Sequence, residues 1–224
     1  MIFEPPLIPG RLIRRYKRFL VDVDLDDGRR ITAHCPNTGA MRGIQIVGGR
    51  VWLQPSTNPK RKLPWTWKLV RVGHAWVHVD AVQGSRLAVE AITAGLIPEL
   101  SGALQTEVPL GGSRIDLRVG ESYVEVKSTT LVEGRTARFP DAVTERGRRH
   151  VEALTASVQG GGRAAILFGI QRPDVDGFSP ADAVDPEFSE ALRRASGAGV
   201  AVFALAARVS PRRVALVRRI PVWL

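Results

Sequence analysis

One segment of the 224-residue chain decides the fold prediction, and it reads Ser113-Arg114-Ile115-Asp116-Leu117-Arg118-Val119-Gly120-Glu121-Ser122-Tyr123-Val124-Glu125-Val126-Lys127. Apolar and polar residues alternate on both sides of Gly120-Glu121, as in two strands that each bury one face. A two-residue turn with glycine first is typical of a type II′ β-hairpin. We therefore predict a hairpin in which Val119 pairs with Ser122. In that register the aliphatic residues share one face: Ile115, Leu117, Val119, Val124 and Val126.

The same register brings two carboxylates together. Counting back from the turn sets Asp116 opposite Glu125, with Cβ atoms about 5 Å apart, and Arg114 opposite Lys127. Two like charges in direct opposition are destabilising, and a divalent cation would remove the conflict. The alternative is a surface ladder in which these four charged side chains neutralise one another.

Lys127 follows Glu125 by two residues and projects on the same face. The chain has 27 Arg and 5 Lys, and Lys127 is the only Lys after residue 68. A compact ammonium could steady a water nucleophile or the charge that develops on a phosphate. The predicted catalytic residues are Asp116, Glu125 and Lys127, with Glu90 on the preceding helix as a third carboxylate. Mg²⁺ or Mn²⁺ would be held by Asp116, Glu125 and the Val126 carbonyl. For Glu90 the alternative is a solvated side chain outside the site.

The hairpin belongs to a longer order of helices and strands. A helix capped by Ser85 precedes it, and a helix opened by Pro140-Asp141 follows it. An apolar run at 164–170, a helix at 186–196 and a strand at 200–206 come next. This order predicts an α/β domain over residues 82–224. Residues 1–81 instead show short strands separated by turns, which predicts a small barrel of the oligonucleotide-binding (OB) type.

The charge of the chain is concentrated in the predicted barrel. Residues 1–81 carry 14 basic and 6 acidic side chains, whereas residues 82–224 carry 18 and 16. This asymmetry predicts a polyanionic partner, nucleic acid before membrane. Two basic clusters lie beside aromatic residues, a pattern that suits phosphate contact and base stacking. The candidates for nucleic-acid binding are Arg14, Arg15, Lys17, Arg18, Lys60, Arg61, Lys62 and Trp65; core packing is the alternative for each Trp.

The motifs of the whole chain resemble a known family. A helix with Glu90, a strand with Asp116, then Glu125-Val126-Lys127 is similar to the PD-(D/E)xK nuclease pattern, although Ile115 replaces its Pro. The segments 9–20, 33–39, 58–64, 113–116, 125–128 and 139–144 resemble, in order, the sugar fermentation stimulation protein A family. This resemblance implies DNA binding, an N-terminal barrel and a nuclease-like second domain.

Several other classes are excluded or disfavoured. Cys35 is the single cysteine, so the chain forms no internal disulfide or Cys-rich zinc site. The apolar runs are too short to span a bilayer, and the N-terminus lacks a signal peptide, so we expect a cytoplasmic protein. The sequence thus predicts a DNA-binding protein with a metal-dependent phosphodiesterase site. The alternatives are a DNA-binding transcriptional regulator that keeps the nuclease fold without cutting, and RNA as the partner. No residue explains a link to sugar metabolism.

Overall fold

The computed structural model describes all residues, Met1–Leu224. Its first unit is a barrel of five strands, β1 (Ile8–Tyr16), β2 (Leu20–Leu25), β3 (Arg30–His34), β4 (Arg50–Pro55) and β5 (Trp65–Val72), to which β6 (Ala75–His78) is added. The strand order is β3-β2-β1-β4-β5-β6, and a parallel pairing of His34 with Thr66 closes β3 onto β5. This closure confirms the predicted OB fold.

Alternation within the strands explains the barrel. In β2, Val21, Val23 and Leu25 are buried, whereas Asp22 and Asp24 lie on the outside. Trp67 is fully buried, and its Nε1 donates a hydrogen bond to the Leu69 carbonyl at 2.9 Å. The apolar period of two therefore forms the barrel core, and one of the tryptophans fills it.

The second unit is an α/β domain. Its elements are α1 (Gly84–Thr93), β7 (Leu104–Leu110), β8 (Ser113–Val119), β9 (Ser122–Thr129), β10 (Leu131–Glu133), β11 (Thr136–Phe139), α2 (Glu145–Gln159), β12 (Arg163–Ile170), β13 (Gly177–Pro180), α3 (Pro186–Gly197), β14 (Ala201–Val209) and β15 (Val214–Arg219). The main sheet has the order β15-β14-β12-β9-β8-β7, in which β9, β12 and β14 are parallel. Strands β10, β11 and β13 form a small separate sheet. This arrangement confirms the predicted α/β, nuclease-like domain.

Helices cover both faces of the main sheet. Helix α1 packs with one core cluster, and α2 and α3 pack with the other. Strand β12 contributes to both, with Leu167 in the first core and Ile166 and Phe168 in the second. A central parallel strand that is buried on both sides has no polar face, which explains the unbroken apolar run at 164–170.

Two predicted helix starts are wrong. Helix α2 begins at Glu145 instead of Pro140, because the Thr144 side chain caps it by accepting from the Gly147 N–H at 3.0 Å. Asp141 instead accepts a hydrogen bond from the Met41 N–H at 2.8 Å. Ser85 does not cap α1, since its hydroxyl donates to a side chain of β8.

The two units share a polar junction. The His78 N–H donates to the Gln171 carbonyl at 2.9 Å, and the Gln171 side chain reaches Ser128 Oγ at 3.2 Å. The segment before β1 also packs on the α/β domain, where Phe3 and Leu7 join the core on the α1 side. None of the helices is long and apolar enough to cross a membrane.

Candidate functional site: a carboxylate–lysine centre at the domain junction

The β8–β9 hairpin has the predicted register. Val119 pairs with Ser122, and Leu117 pairs with Val124, across a two-residue turn in which Gly120 has a φ of +56°. The ladder between the two strands stops at Leu117. Beyond this point the Asp116 side chain, instead of the backbone, links the two strands, because its Oδ2 accepts a hydrogen bond from the Val126 N–H at 2.8 Å. Asp116 and Glu125 are thus brought to one place by the hairpin.

One part of the predicted face assignment is wrong. Leu117 and Val119 pack in the core on the α1 side, but Ile115 packs in the core on the α2 side. Between them the β7–β8 ladder has no pair at Asp116, and the residue opposite, Glu107, has a φ of +57°. The strand therefore rotates at Asp116, which sends Ile115 to the other face.

The four charged residues do not form the alternative surface ladder. Arg114 is exposed and lies 3.8 Å from Glu107. Lys127 Nζ donates to Glu125 Oε1 at 2.7 Å, and both side chains are almost fully buried. Because α2 and the junction cover this part of the sheet, Glu125 and Lys127 form a buried pair instead of joining a solvated face.

Asp116 is held by two hydrogen bonds and destabilised by its neighbour. Its Oδ1 accepts from the Ser85 hydroxyl at 3.1 Å, and its Oδ2 accepts from the Val126 amide. Burial, together with the negative charge of Glu125, nevertheless raises the pKa of Asp116. The charge of Lys127 and the two hydrogen bonds favour the ionised form of Asp116, but by less than burial and Glu125 oppose it.

Glu125 has the opposite balance. Burial opposes its ionisation, but the hydrogen bonds and charges supplied by His150 and Lys127 outweigh that effect and lower the pKa of Glu125. Both partners bind Oε1. The second oxygen, Oε2, is buried and has no hydrogen-bond partner. Glu125 is therefore an ionised carboxylate with one oxygen left to bind something else.

His150 is a site residue that the sequence prediction missed. It lies in α2, is 7% exposed, and donates from Nδ1 to Glu125, while its Nε2 accepts from Arg146 Nε at 3.4 Å. Because a carboxylate oxygen only accepts, Nδ1 carries the proton of the bond to Glu125. Arg146 and His150 are one helical turn apart, so the sequence does show that they share a face of α2. Nothing in the sequence indicates which strand this face contacts.

Glu90 is not brought to the other two carboxylates, contrary to the prediction. Its carboxylate accepts from the Met1 ammonium at 2.5 Å and lies 3.4 Å from Arg86 Nε. The amino terminus is fixed there because Met1 N also donates to the Val214 carbonyl at 2.9 Å. No three His, Cys, Asp or Glu side chains in the chain are grouped so as to hold a metal ion.

The remaining donors fit a magnesium-like ion. Asp116 and Glu125 offer carboxylate oxygens, one of which is buried without a partner. Mg²⁺ commonly takes one or two protein carboxylates and completes its shell with phosphate oxygens and water. The donor set is therefore consistent with the prediction of Mg²⁺ or Mn²⁺ at Asp116, Glu125 and the Val126 carbonyl.

The basic clusters of the barrel lie in two loops at one end of it. Lys17 and Arg18 are in the β1–β2 loop, and Lys60, Arg61 and Lys62 are in the β4–β5 loop. Both loops contact the end of β3. Arg61 lies 3.3 Å from His34 Nδ1 and donates to Thr66 Oγ1 at 2.8 Å. The Cys35 N–H, next to His34, donates to the Phe19 carbonyl at 2.8 Å. These are the loops with which OB folds bind oligonucleotides.

The eight candidate residues differ in availability. Lys17, Arg18, Lys60 and Lys62 are exposed, and the ion pairs of the barrel are made by other cations. Arg14 is paired with Asp22 at 2.8 Å, and Trp65 is half-buried with Arg29 over its ring.

Arg15 connects this end of the barrel to the second domain. It donates to the carbonyls of Asn37 and Gly39 at 2.8 and 3.0 Å, and the same loop is bound by Asp141. Asn37 and Asp141 line a small polar pocket together with Ser128, the residue after Lys127. The cationic end of the barrel therefore adjoins the part of the sheet that carries the carboxylate–lysine centre.

Fold and site together define a class: proteins that join an OB domain to an α/β domain of the PD-(D/E)xK nuclease-like fold. The family model described as the sugar fermentation stimulation protein RE domain matches residues 83–213. The SfsA N-terminal OB domain matches residues 13–79. The chain belongs to the sugar fermentation stimulation protein A family.

Relatives cover the full chain. A sugar fermentation stimulation protein homolog from Geobacter metallireducens is 48% identical over 232 residues and covers 100% of both chains. A homolog from Acidithiobacillus ferrooxidans is 49% identical over 221 residues and covers 95% of both. The chain is also similar to a solved structure, described as Pyrococcus furiosus SfsA in complex with Ca²⁺, with a TM-score of 0.90, 29% identity, and coverage of 100% of this chain and 98% of that one.

Proposed function

We propose that this protein binds DNA through its OB domain and hydrolyses phosphodiester bonds at the Asp116–Glu125–Lys127 centre with the help of Mg²⁺ or Mn²⁺. The observation that carries the proposal is the buried carboxylate of Glu125, which has Lys127 and His150 on one oxygen and no partner on the other. The Lys68–Asp80 ion pair also has a buried oxygen without a partner. Glu125 differs from it because a second carboxylate, that of Asp116, lies beside it, and two adjacent acidic groups favour a cation as the missing partner.

Each side chain of the centre would have a separate role in the proposed reaction. Asp116 and Glu125 would hold the cation, and a cation held there would supply positive charge to a phosphodiester and would favour ionisation of water. Lys127, kept in place by Glu125 Oε1, would stabilise negative charge on the phosphate in a site that excludes bulk water. His150 would fix the Glu125 carboxylate so that Oε2 faces the ligand.

Two further observations support a cation and a polyanion. The solved relative from Pyrococcus furiosus is described as a complex with Ca²⁺, which supports a divalent-cation site in this fold. Four exposed cations whose side chains make no hydrogen bond, Lys17, Arg18, Lys60 and Lys62, lie at the end of the barrel that adjoins the centre. A strand held by these cations would pass the domain junction on its way to Lys127.

The catalytic part is tested by incubation of the purified protein with single-stranded, duplex and branched DNA in Mg²⁺, Mn²⁺ or EDTA. The isosteric variants Asp116→Asn and Glu125→Gln and the variant Lys127→Met are compared with Glu90→Gln, whose carboxylate lies outside the centre. We expect metal-dependent cleavage that falls at least about 100-fold in the first three variants and persists in Glu90→Gln. DNA binding without cleavage in every substrate and metal would refute the enzyme.

The second candidate is a DNA-binding regulator that does not cut. The arrangement of Glu90 favours it, because this carboxylate is occupied by the Met1 ammonium and leaves the centre with two acidic side chains. The same incubation separates the two functions, since a regulator would bind DNA and leave it intact.

The barrel part is tested by the salt dependence of binding. If Lys17, Arg18, Lys60 and Lys62 each contact one phosphate of a single strand, the slope of log affinity against log salt should be about −3. Replacing Lys60 and Lys62 by Gln should flatten this slope by about half, whereas Arg30→Gln, which breaks an outer pair with Asp24, should leave it unchanged. An unchanged slope in the double lysine variant would place the interface elsewhere.

A further inference from the structure

The β1–β2 loop displays an aromatic ring that has no aromatic or cation–π partner inside the molecule. Lys17, Arg18 and Phe19 connect the paired residues Tyr16 and Leu20. Phe19 is 49% exposed, although it is a large apolar residue. Its ring takes part in none of the aromatic or cation–π contacts of the protein.

The other aromatic side chains at this end of the barrel are covered. The Arg14 guanidinium lies 4.8 Å from the centre of the Tyr16 ring, and the Arg29 guanidinium lies 5.5 Å from that of Trp65. Phe19 is thus the ring at this end that remains available for an external partner.

The backbone holds Phe19 in position. Its carbonyl accepts from the Cys35 N–H at 2.8 Å, and the carbonyl of Arg18 accepts from Arg15 Nε at 3.0 Å. Lys17 and Arg18 have φ values of +49° and +64°, a region that favours glycine. Glycine would be less strained at both positions, yet the chain has Lys17 and Arg18 there. Their long cationic side chains therefore point to a role in binding.

We propose that Phe19 is a stacking platform for an unpaired nucleobase, and that the barrel therefore binds single-stranded DNA in preference to duplex. This inference rests on the proposed function, since it takes DNA as the ligand of the barrel. Lys17 and Arg18 precede Phe19 in the same loop, are exposed, and would contact the phosphates on either side of the stacked base. In a duplex the bases are already stacked on one another, so the ring gains nothing from it.

The test measures fluorescence anisotropy of a labelled 12-nucleotide oligothymidylate and of a 12-base-pair duplex, in EDTA so that metal-dependent cleavage is blocked. The variants are Phe19→Ala, Phe19→Leu and Phe19→Tyr, with Val47→Ala as the control at another apolar residue, 74% exposed. We expect the Ala and Leu variants to lose about 5- to 100-fold in affinity for the single strand. Duplex affinity should stay within about twofold, and the Tyr variant and the control should resemble the parent protein.

A second readout detects stacking directly. An oligonucleotide with 2-aminopurine at successive positions should show quenching at one position with the parent protein, and Phe19→Ala should abolish that quenching. Equal affinity for strand and duplex, or a Phe19→Leu variant with parental affinity, would overturn the inference while DNA binding by the barrel stands. Absence of cleavage with stacking intact would refute only the nuclease, whereas absence of any DNA binding would refute both.

Discussion

Acidification should destabilise the folded protein through His78, which lies at the junction between the two domains. The His78 ring is fully buried, 6.0 Å from the ring of Phe3, and its Nδ1 bonds Gln171 Oε1 at 2.8 Å. Its Nε2 has no partner. Burial lowers the pKa of His78 from 6.5 to about 4; nearby Lys68 and the N-terminal ammonium add to the lowering, while Gln171 and Asp80 oppose it.

The size of the effect follows from the two pKa values. Below pH 6.5 the unfolded chain takes up a proton on this residue, whereas the folded chain stays neutral there down to about pH 4. Stability from this group is therefore complete above pH 6.5 and is lost as the pH falls between these values. The loss amounts to about 2 kcal/mol at pH 5 and about 3 kcal/mol at pH 4.

The assay is urea unfolding at pH 7.5 and pH 5 for the parent protein, His78→Gln and His74→Gln. His74 is exposed, so its replacement controls for the loss of a histidine. Other acid-sensitive groups act equally in all three proteins and cancel in the comparison. Between pH 7.5 and pH 5, the free energy of unfolding should fall by about 2 kcal/mol less in His78→Gln than in the parent protein. The same pH dependence in both proteins would refute the reasoning.

Three further predictions concern other buried groups. Lys68→Met leaves its buried ion-pair partner Asp80 uncompensated and should lower the free energy of unfolding by about 3–5 kcal/mol. The double variant Lys68→Met, Asp80→Leu should recover part of this loss. A loss below about 1 kcal/mol in Lys68→Met would contradict the prediction. Cys35 is fully buried, and burial raises the pKa of its thiol, so a chromogenic disulfide reagent should react with it in urea but only slowly in the native protein; rapid native reaction would disprove the packing. His150→Ala removes a hydrogen bond that orients Glu125 and should weaken Mn²⁺ binding, measured by calorimetry, about 10- to 100-fold; unchanged affinity would show that His150 does not orient the ligand set.

The parts of the fold that the sequence predicted are those set by local pattern. The period of two in β2 and the Gly120-Glu121 turn are properties of a few adjacent residues, so the barrel strands and the hairpin register could be derived. The sequence could predict that Asp116 and Glu125 lie together because the register of a hairpin follows from its turn and the few residues on either side of it. The rotation of β8 at Asp116 was missed, since it depends on the conformation of Glu107 in another strand.

The errors concern groups whose partners are distant in the chain. Glu90 meets the Met1 ammonium, 89 residues away, because the first residues pack on the α/β domain. His150 meets Glu125 across 25 residues. No spacing rule links such residues, so a helix known only by its own period cannot reveal which of its polar side chains enters a site.

The charge excess of the first 81 residues overstates the surface available to a polyanion, and the structure explains by how much. Five of its 14 cations are ion-paired, and four of these pairs line the outside of the barrel, where Asp22, Asp24, Asp26 and Asp27 meet arginines. Such exposed pairs contribute little to stability but cancel the local field. The field that remains comes from the other nine cations, and five of them lie in the two loops at the end that adjoins the carboxylate–lysine centre: Lys17, Arg18, Lys60, Arg61 and Lys62. Under the proposed function, binding and chemistry would therefore be coupled by position, because the end of the barrel that is richest in unpaired cations adjoins the residues that would act on a bound backbone.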